Sequence, residues 1–114
     1  MECTTRFCVV KGKCMVISIP KELDHNAADM VRGEAECIFM KCPIKNVVFD
    51  FSKTTFMDSS GIGLITGRYR KLCDLGGKVY VYGLNPAMDK LFLLSGLNTI
   101  VNKIADLEEV SYEE

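Results

Sequence analysis

The sequence lacks the features that mark membrane-spanning, exported and nucleic-acid-binding proteins. Its longest apolar runs, such as residues 47–51 and 91–94, are far shorter than the roughly 20 residues that span a bilayer. Residues 1–5 do not resemble the start of a signal peptide. The 14 Lys and Arg residues nearly balance the 15 Asp and Glu residues and form no basic stripe that could bind a phosphate backbone. We therefore expect a soluble, cytoplasmic protein that binds neither membranes nor nucleic acid directly.

The cysteines and the single histidine offer little for metal or redox chemistry. There is no Cys-x-x-Cys pair and His25 is the only histidine, whereas a zinc site needs a closely grouped set of such ligands. Disulfide frameworks are typical of exported chains. We therefore expect no metal and no cofactor, and we expect reduced thiols that are buried as small hydrophobic side chains. The six cysteines are Cys3, Cys8, Cys14, Cys37, Cys42 and Cys73.

The length of 114 residues fits one domain with a buried core and is too short for two nucleotide-binding halves. Strand-like and helix-like segments alternate, which predicts a single α/β domain over residues 1–114, with helices packed on a mixed sheet of four to five strands. The acidic residues 106–114 are predicted to be a short helix or a frayed tail. The predicted strands are residues 1–10 and 13–20, which flank a Lys11-Gly12 turn, and then 46–51, 78–82 and 99–105.

Three helices are predicted between these strands. The first begins with a cap at Asp24 or Asn26 and ends at the Cys42-Pro43 break. The second, residues 60–75, has one apolar face for the sheet and is expected to turn its basic residues toward solvent. The third begins at Asn85-Pro86, where a capping side chain precedes a proline. The basic residues of the second helix are Arg68, Arg70 and Lys71.

The stretch FMDSSGIG, residues 56–63, places two serines after an aspartate at a strand-to-helix junction. A phosphate-binding loop is one interpretation, because the amides at a helix N-terminus attract anions. The residues SKTTFMDS, however, separate the predicted strand from the glycines, whereas the glycines of a dinucleotide fingerprint lie in the tight turn itself. We instead expect Gly63 and Gly67 to let the helix lie close to the sheet.

A small serine hydrolase is a second interpretation. Ser59 or Ser60 with His25 and an aspartate would supply a nucleophile, a base and an orienting carboxylate. The serine lacks the preceding glycine of the Gly-x-Ser-x-Gly elbow, and a lone histidine after Glu-Leu-Asp is more often a surface or capping residue. Enzyme activity is therefore not expected.

A third interpretation is a serine displayed at the start of a helix for another protein to modify. A hydroxyl at the N-cap is accessible without unfolding, and a phosphate there meets the positive end of the helix dipole. A plain N-cap has the same geometry. The residues alone therefore leave a modification site and a simple cap as open alternatives.

The stretch FMDSSGIGLITGRYRKL, residues 56–72, resembles the signature of the bacterial anti-sigma factor antagonists of the STAS domain class. The stretches ELDHNAA, LGGKVYVYGLNPAMDKLF and LSGL are similar to that family in order and spacing, from about residue 15 to about residue 102. The triplets LDH and GRY resemble the branch that controls sigma F during endospore formation. One position departs from the family, because Lys21 stands where glycine is common.

The resemblance implies a binding protein and not an enzyme. It implies that the unphosphorylated chain binds an anti-sigma factor that is also a serine kinase, and that the sigma factor is thereby released. It further implies that the kinase phosphorylates Ser59, the serine directly after Asp58, and that a serine phosphatase removes the phosphate. The alternative is an interaction module of the same fold for another sigma factor or a stress-signalling partner.

The partner-binding residues are expected in two loops, residues 22–26 and 56–61, which a sheet with a helix after each strand could bring to the same end. We expect a monomer, since the helical faces carry no surplus apolar stripe. The residues implied in partner binding are Asp24, His25, Asn26, Met57, Asp58, Ser60, Gly61 and Ile62.

Overall fold

The computed structural model describes residues 4–110, in which seven strands and three α-helices alternate. The strands are β1 (Cys8–Lys11), β2 (Cys14–Ser18), β3 (Glu22–Leu23), β4 (Asn46–Asp50), β5 (Phe56–Met57), β6 (Val79–Tyr82) and β7 (Asn102–Ile104). The helices are α1 (His25–Lys41), α2 (Ser59–Asp74) and α3 (Pro86–Ser95), with short 3₁₀ turns at Leu97–Thr99 and Leu107–Glu109.

The main sheet has the strand order β1-β2-β4-β6-β7. β1 and β2 form the predicted antiparallel hairpin, and Gly12 takes the left-handed conformation of its turn with a φ of 61°. The pairs β2–β4, β4–β6 and β6–β7 are parallel. The predicted mixed sheet is therefore confirmed, because only the N-terminal hairpin runs antiparallel.

The three helices cover one face of this sheet. Alternate strand residues such as Met15, Ile17 and Phe49 share one buried core with side chains from α1, α2 and α3. The opposite face has a smaller buried cluster of Cys14, Val48 and Val110. The segment at 107–110, predicted as helix or tail, therefore covers part of the second face. Residues 111–114 of that prediction lie outside the described residues.

The helix ends follow the predicted capping residues. The Asn85 side chain accepts a hydrogen bond of 2.8 Å from the Met88 N–H, and Pro86 is the first helical residue of α3. α1 ends before Pro43, as expected. None of the helices in residues 4–110 has both the length and the apolar character needed to cross a membrane.

The terminal strands are shorter than predicted. The first begins at Cys8, preceded by an isolated bridge between Thr4 and Val9, and residues 1–3 of the predicted strand lie outside the described residues. The last is limited to Asn102–Ile104, because the chain first forms the 3₁₀ turn Leu97–Thr99. The two-residue strands β3 and β5 were not predicted, since so short a stretch contains no alternation to detect.

The predicted exposure of Arg68 is wrong. Only 7% of the residue is accessible, and its side chain lies between α2 and α1. The cause is a pair of partners on α1, Glu36 and Phe39, that helical periodicity within α2 alone does not reveal.

The described cysteines differ in burial, and Cys42 is half-buried against the core. Cys8 and Cys14 are buried as expected, and this burial raises the pKa of both thiols to about 11, so they remain protonated near neutral pH. Cys37 and Cys73 are exposed, so the prediction of buried thiols is wrong for both. They lie on the outer sides of two helices whose inner sides form the core. Cys3 lies outside the described residues.

Candidate functional site

The two loops implied in partner binding lie side by side. β3 and β5 pair in parallel, with Glu22 opposite Phe56 and Leu23 opposite Met57. The Asp58 N–H then donates a hydrogen bond of 3.3 Å to the Leu23 carbonyl oxygen. Because each short strand runs directly into a helix, the N-termini of α1 and α2 are brought together. The expectation that the loops at 22–26 and 56–61 share one end of the fold is confirmed.

An aspartate side chain caps each of these helices. The Asp24 carboxylate accepts a hydrogen bond of 2.9 Å from the Ala27 N–H, and both cap residues have extended backbone. The Asp58 carboxylate accepts one of 2.8 Å from the Ser60 N–H. The alternative cap at Asn26 is therefore wrong, since Asn26 lies inside α1.

Ser59 is not the N-cap of α2, contrary to the expectation from the sequence. Asp58 holds that position, and Ser59 is the first helical residue. Ser59 is exposed, and in the described part of the chain its hydroxyl makes no hydrogen bond. The hydroxyl is therefore available to an incoming protein without the loss of a cap.

The neighbouring hydroxyl-bearing residues are either partly buried or hydrogen-bonded within the fold. Thr54 is only 4% exposed, and its hydroxyl donates a hydrogen bond of 2.9 Å to the Pro20 carbonyl. The Thr55 hydroxyl donates one of 3.3 Å to the Lys21 carbonyl. Ser60 is half-buried. Among these four residues, Ser59 combines exposure with a hydroxyl that has no internal partner.

Gly61 is required by the packing beneath this surface. A Cβ atom on Gly61 would overlap the Met57 side chain and would come within 2.9 Å of Leu23 Cδ2. Gly61 therefore lets the first turn of α2 lie against β3 and β5. The prediction gave this role to Gly63 and Gly67, and it is wrong, because a Cβ on either would meet open space.

The remaining residues implied in binding differ in exposure. His25 and Asn26 are exposed, whereas Asp24 and Asp58 are half-buried caps. Half-buried Ile62 packs against the core. Met57 and Gly61 are buried, so they shape the surface and offer little of their own to a partner. The structure thus brings all eight together, with two of them beneath the surface.

Phe56 was not predicted as a site residue, although it is 50% exposed and directly precedes Met57 and Asp58. It pairs in register with Glu22, which is also exposed. The only signal in the sequence was an aromatic residue in a polar loop, and without the β3–β5 pair nothing indicated which way it faced.

The geometry does not assemble a hydrolase triad at this site. The Nε2 atom of His25 lies 3.4 Å from Asp29 Oδ2, one turn along α1, and neither Ser59 nor Ser60 donates a hydrogen bond to the imidazole. Surface cavities of about 450 and 490 Å³ lie at the ends of β6 and β7 and beside β1 and β2, and the two loops line neither. The exposed side chains His25, Asn26 and Ser59 thus lie on the outer surface of the two loops and not in either of these cavities.

Three comparisons bear on the family. The STAS domain pattern matches residues 8–110. The anti-sigma F factor antagonist of Paenibacillus polymyxa is 35% identical over 104 residues, covering 85% of this chain and 89% of that protein. The solved structure of the anti-sigma factor antagonist SpoIIAA in its unphosphorylated form has a TM-score of 0.78 at 28% identity, covering 96% of this chain and 90% of that one. For the Bacillus cell fate determinant SpoIIAA in the phosphorylated form, the TM-score is 0.71 at 28% identity, with coverages of 96% and 94%. The chain therefore belongs to the STAS domain family of anti-sigma factor antagonists, which are regulatory proteins rather than enzymes.

Proposed function

We propose that the unphosphorylated chain binds an anti-sigma factor that is also a serine kinase, and that this binding releases the sigma factor, sigma F of endospore formation. Phosphorylation of Ser59 by that kinase ends the interaction, and a serine phosphatase restores it. The protein acts in the cytoplasm as a monomer. The observation that carries the proposal is the exposed Ser59 hydroxyl at the start of α2, beside the Asp24 loop.

The choice of Ser59 over its neighbours follows from access. A kinase needs a hydroxyl that can enter its active site, and the Thr54 and Thr55 hydroxyls are engaged with carbonyl groups of residues 19–21. The relative SpoIIAA has been solved both with and without phosphate, which supports a phosphorylation cycle for a chain of this fold.

The proposed loss of partner binding after phosphorylation of Ser59 follows from charge. A phosphate adds a charge of about −1.5 to −2 beside the Asp58 carboxylate and near the Asp24 loop. A partner surface that fits a neutral hydroxyl would have to bury this charge without a counterion, which is costly. The phosphate itself lies at the positive end of the α2 dipole, so the fold tolerates it.

The proposal is tested with the purified chain, the candidate anti-sigma kinase and its sigma factor. We expect complex formation with the kinase, release of the sigma factor, and loss of the complex once ATP is added. Ser59→Ala should bind the kinase and cause release of the sigma factor, but it should take up no phosphate. No binding to the kinase, with or without ATP, would contradict the proposal. Binding only to an anti-sigma factor of another system would support the alternative, an interaction module for a different sigma factor or stress-signalling partner.

A further inference from the structure

Arg68 forms a buried link between α1 and α2. Its Nη2 atom donates a hydrogen bond of 2.6 Å to Glu36 Oε2, and its guanidinium lies 3.8 Å from the centre of the Phe39 ring. A planar guanidinium can make an ion pair and stack on a ring at the same time, which a lysine ammonium cannot match. Lys71 reaches the same Glu36 oxygen at 3.0 Å but is itself exposed.

The two linked helices are those that begin in the candidate site. Their starts are fixed to each other by the backbone pairing of β3 with β5. Arg68 adds a second connection, about 14 Å along α2 from Ser59 at the usual helical rise. Two connections between rigid rods limit both their spacing and their crossing angle. A change at Arg68 would therefore alter the crossing angle of α1 and α2, and with it the relative orientation of the Asp24 loop and Ser59, while the β3–β5 pairing keeps them adjacent.

We infer that Arg68 is a positioning residue for the proposed site: it holds α1 and α2 so that the Asp24 loop and Ser59 fit one partner surface at the same time. This inference rests on the proposed function, because it concerns the binding of the anti-sigma kinase. It assigns Arg68 no contact with the partner, since the side chain is buried between the helices.

A double-mutant cycle on binding tests the inference. Asp24→Asn removes the charge of the loop but keeps a good capping side chain. Arg68→Met removes the link at similar volume, and Arg70→Met is the matched control, with the same loss of charge from an exposed residue of the same helix. We expect the weakening caused by Asp24→Asn to be about 3- to 10-fold smaller in the Arg68→Met background, because a misplaced loop has less binding to lose. In the Arg70→Met background the weakening caused by Asp24→Asn should change less than about twofold.

A second readout is phosphorylation by the kinase. Arg68→Met should raise the KM for the chain by about 3- to 10-fold with little change in kcat, because the misplacement affects docking while the Ser59 hydroxyl itself is unaltered. If Arg68 only stabilised the fold, Arg68→Met would lower the melting temperature and leave KM unchanged for the folded fraction. If Arg68→Met does not fold, Glu36→Gln breaks the same ion pair from α1 and should raise KM in the same way.

The outcomes are distinguishable. Additive effects of Asp24→Asn and Arg68→Met on binding, with unchanged KM, would overturn the inference while the wild-type chain still bound the kinase. Failure of the wild-type chain to bind would contradict the proposed function instead. Equal effects of Arg68→Met and Arg70→Met would point to the loss of positive charge and would likewise overturn a positioning role.

Discussion

The Asp58 N–H donates a hydrogen bond to the carbonyl oxygen of Leu23, the residue just before Asp24. This contact continues the parallel pairing of β3 with β5 up to the first residues of two helices. Each helix has an aspartate cap, followed by an exposed residue: His25 on α1 and Ser59 on α2. A partner that approaches Ser59 therefore meets the Asp24 loop as well.

Asp24 is expected to act both as a cap and in partner binding, and two variants separate these roles. Asp24→Ala should lower the unfolding free energy by about 1 kcal/mol, because the Ala27 N–H loses its acceptor. Asp24→Asn should leave stability nearly unchanged. Both should weaken kinase binding, by about tenfold, if the carboxylate contacts the partner. Chemical denaturation and titration calorimetry measure the two effects. Normal affinity of Asp24→Asn would mean that Asp24 is only a cap.

Ser59 is expected to be the phosphate acceptor. With the cognate kinase and ATP, Ser59→Ala should take up no phosphate. Ser60→Ala should still be modified to some extent, because it keeps Ser59, the more exposed of the two serines. Phosphopeptide mapping identifies the residue. A phosphate found on Ser60, Thr54 or Thr55 would contradict the assignment of Ser59 as the acceptor.

The glycines of α2 should respond in opposite directions to alanine. Gly61→Ala should destabilise the fold by about 1–3 kcal/mol, because the new methyl group overlaps Met57 and crowds Leu23. Gly63→Ala and Gly67→Ala should each stabilise it, by up to about 1 kcal/mol, since they add helix propensity in open space. Urea unfolding of the three variants is the measurement. Destabilisation by Gly63→Ala would show a contact that the structure does not contain.

The sequence predicted the parts of the fold that depend on local patterns. The hairpin, the parallel core strand 46–50 and the three helices follow from alternation, apolar runs and capping residues. The burial of Arg68 could not be predicted, because its partners Glu36 and Phe39 lie far away in the sequence. The β3–β5 pair was missed because strands of two residues are too short to show an alternation of apolar and polar residues.

The site was predicted largely by resemblance, and its internal geometry was not. Asp58 rather than Ser59 caps α2, since the helix begins one residue earlier than expected. The close approach of α2 was assigned to Gly63 and Gly67, whereas it occurs at Gly61. Which glycine faces a neighbouring element depends on the tertiary packing of Gly61 on Leu23 and Met57, which helix propensity cannot reveal.

Glu36 should make stability depend on pH in the acid range. Hydrogen bonds from Lys71 and then Arg68 hold the pKa of this carboxyl below its usual 4.5, against an opposing effect of partial burial. The folded state therefore binds the proton less readily than the unfolded state. The stabilisation is present above pH 4.5 and is lost as the pH falls through the lowered value. The effect is small because the side chain is 39% exposed. Glu36→Gln should flatten the fall in unfolding free energy between about pH 5 and about pH 3. If unfolding free energy fell with pH as steeply in Glu36→Gln as in the wild type, Glu36 would not be the source of this pH dependence.

The last prediction is that Ser59 controls binding through local charge and not through a change of fold. A negative charge at the start of α2 gains roughly 0.3–1 kcal/mol from the helix dipole, which offsets part of its repulsion from Asp58. Ser59→Asp should therefore melt within a few degrees of the wild type. A loss of ~3 kcal/mol at the interface, a reasonable scale for an unpaired buried charge, would weaken kinase binding by about 100-fold or more.

Amide chemical shifts separate the two mechanisms. Changes in Ser59→Asp should be confined to residues 56–65 and to residues 22–26, which form the paired strand β3 and the start of α1 beside the new charge. Ser60→Asp serves as the control for adding a carboxylate one residue further along α2, on a half-buried side chain. Shift changes that spread from Ser59→Asp through β2 and β6 would indicate a global rearrangement, since those strands lie in the main sheet, and the local-charge mechanism would then be wrong.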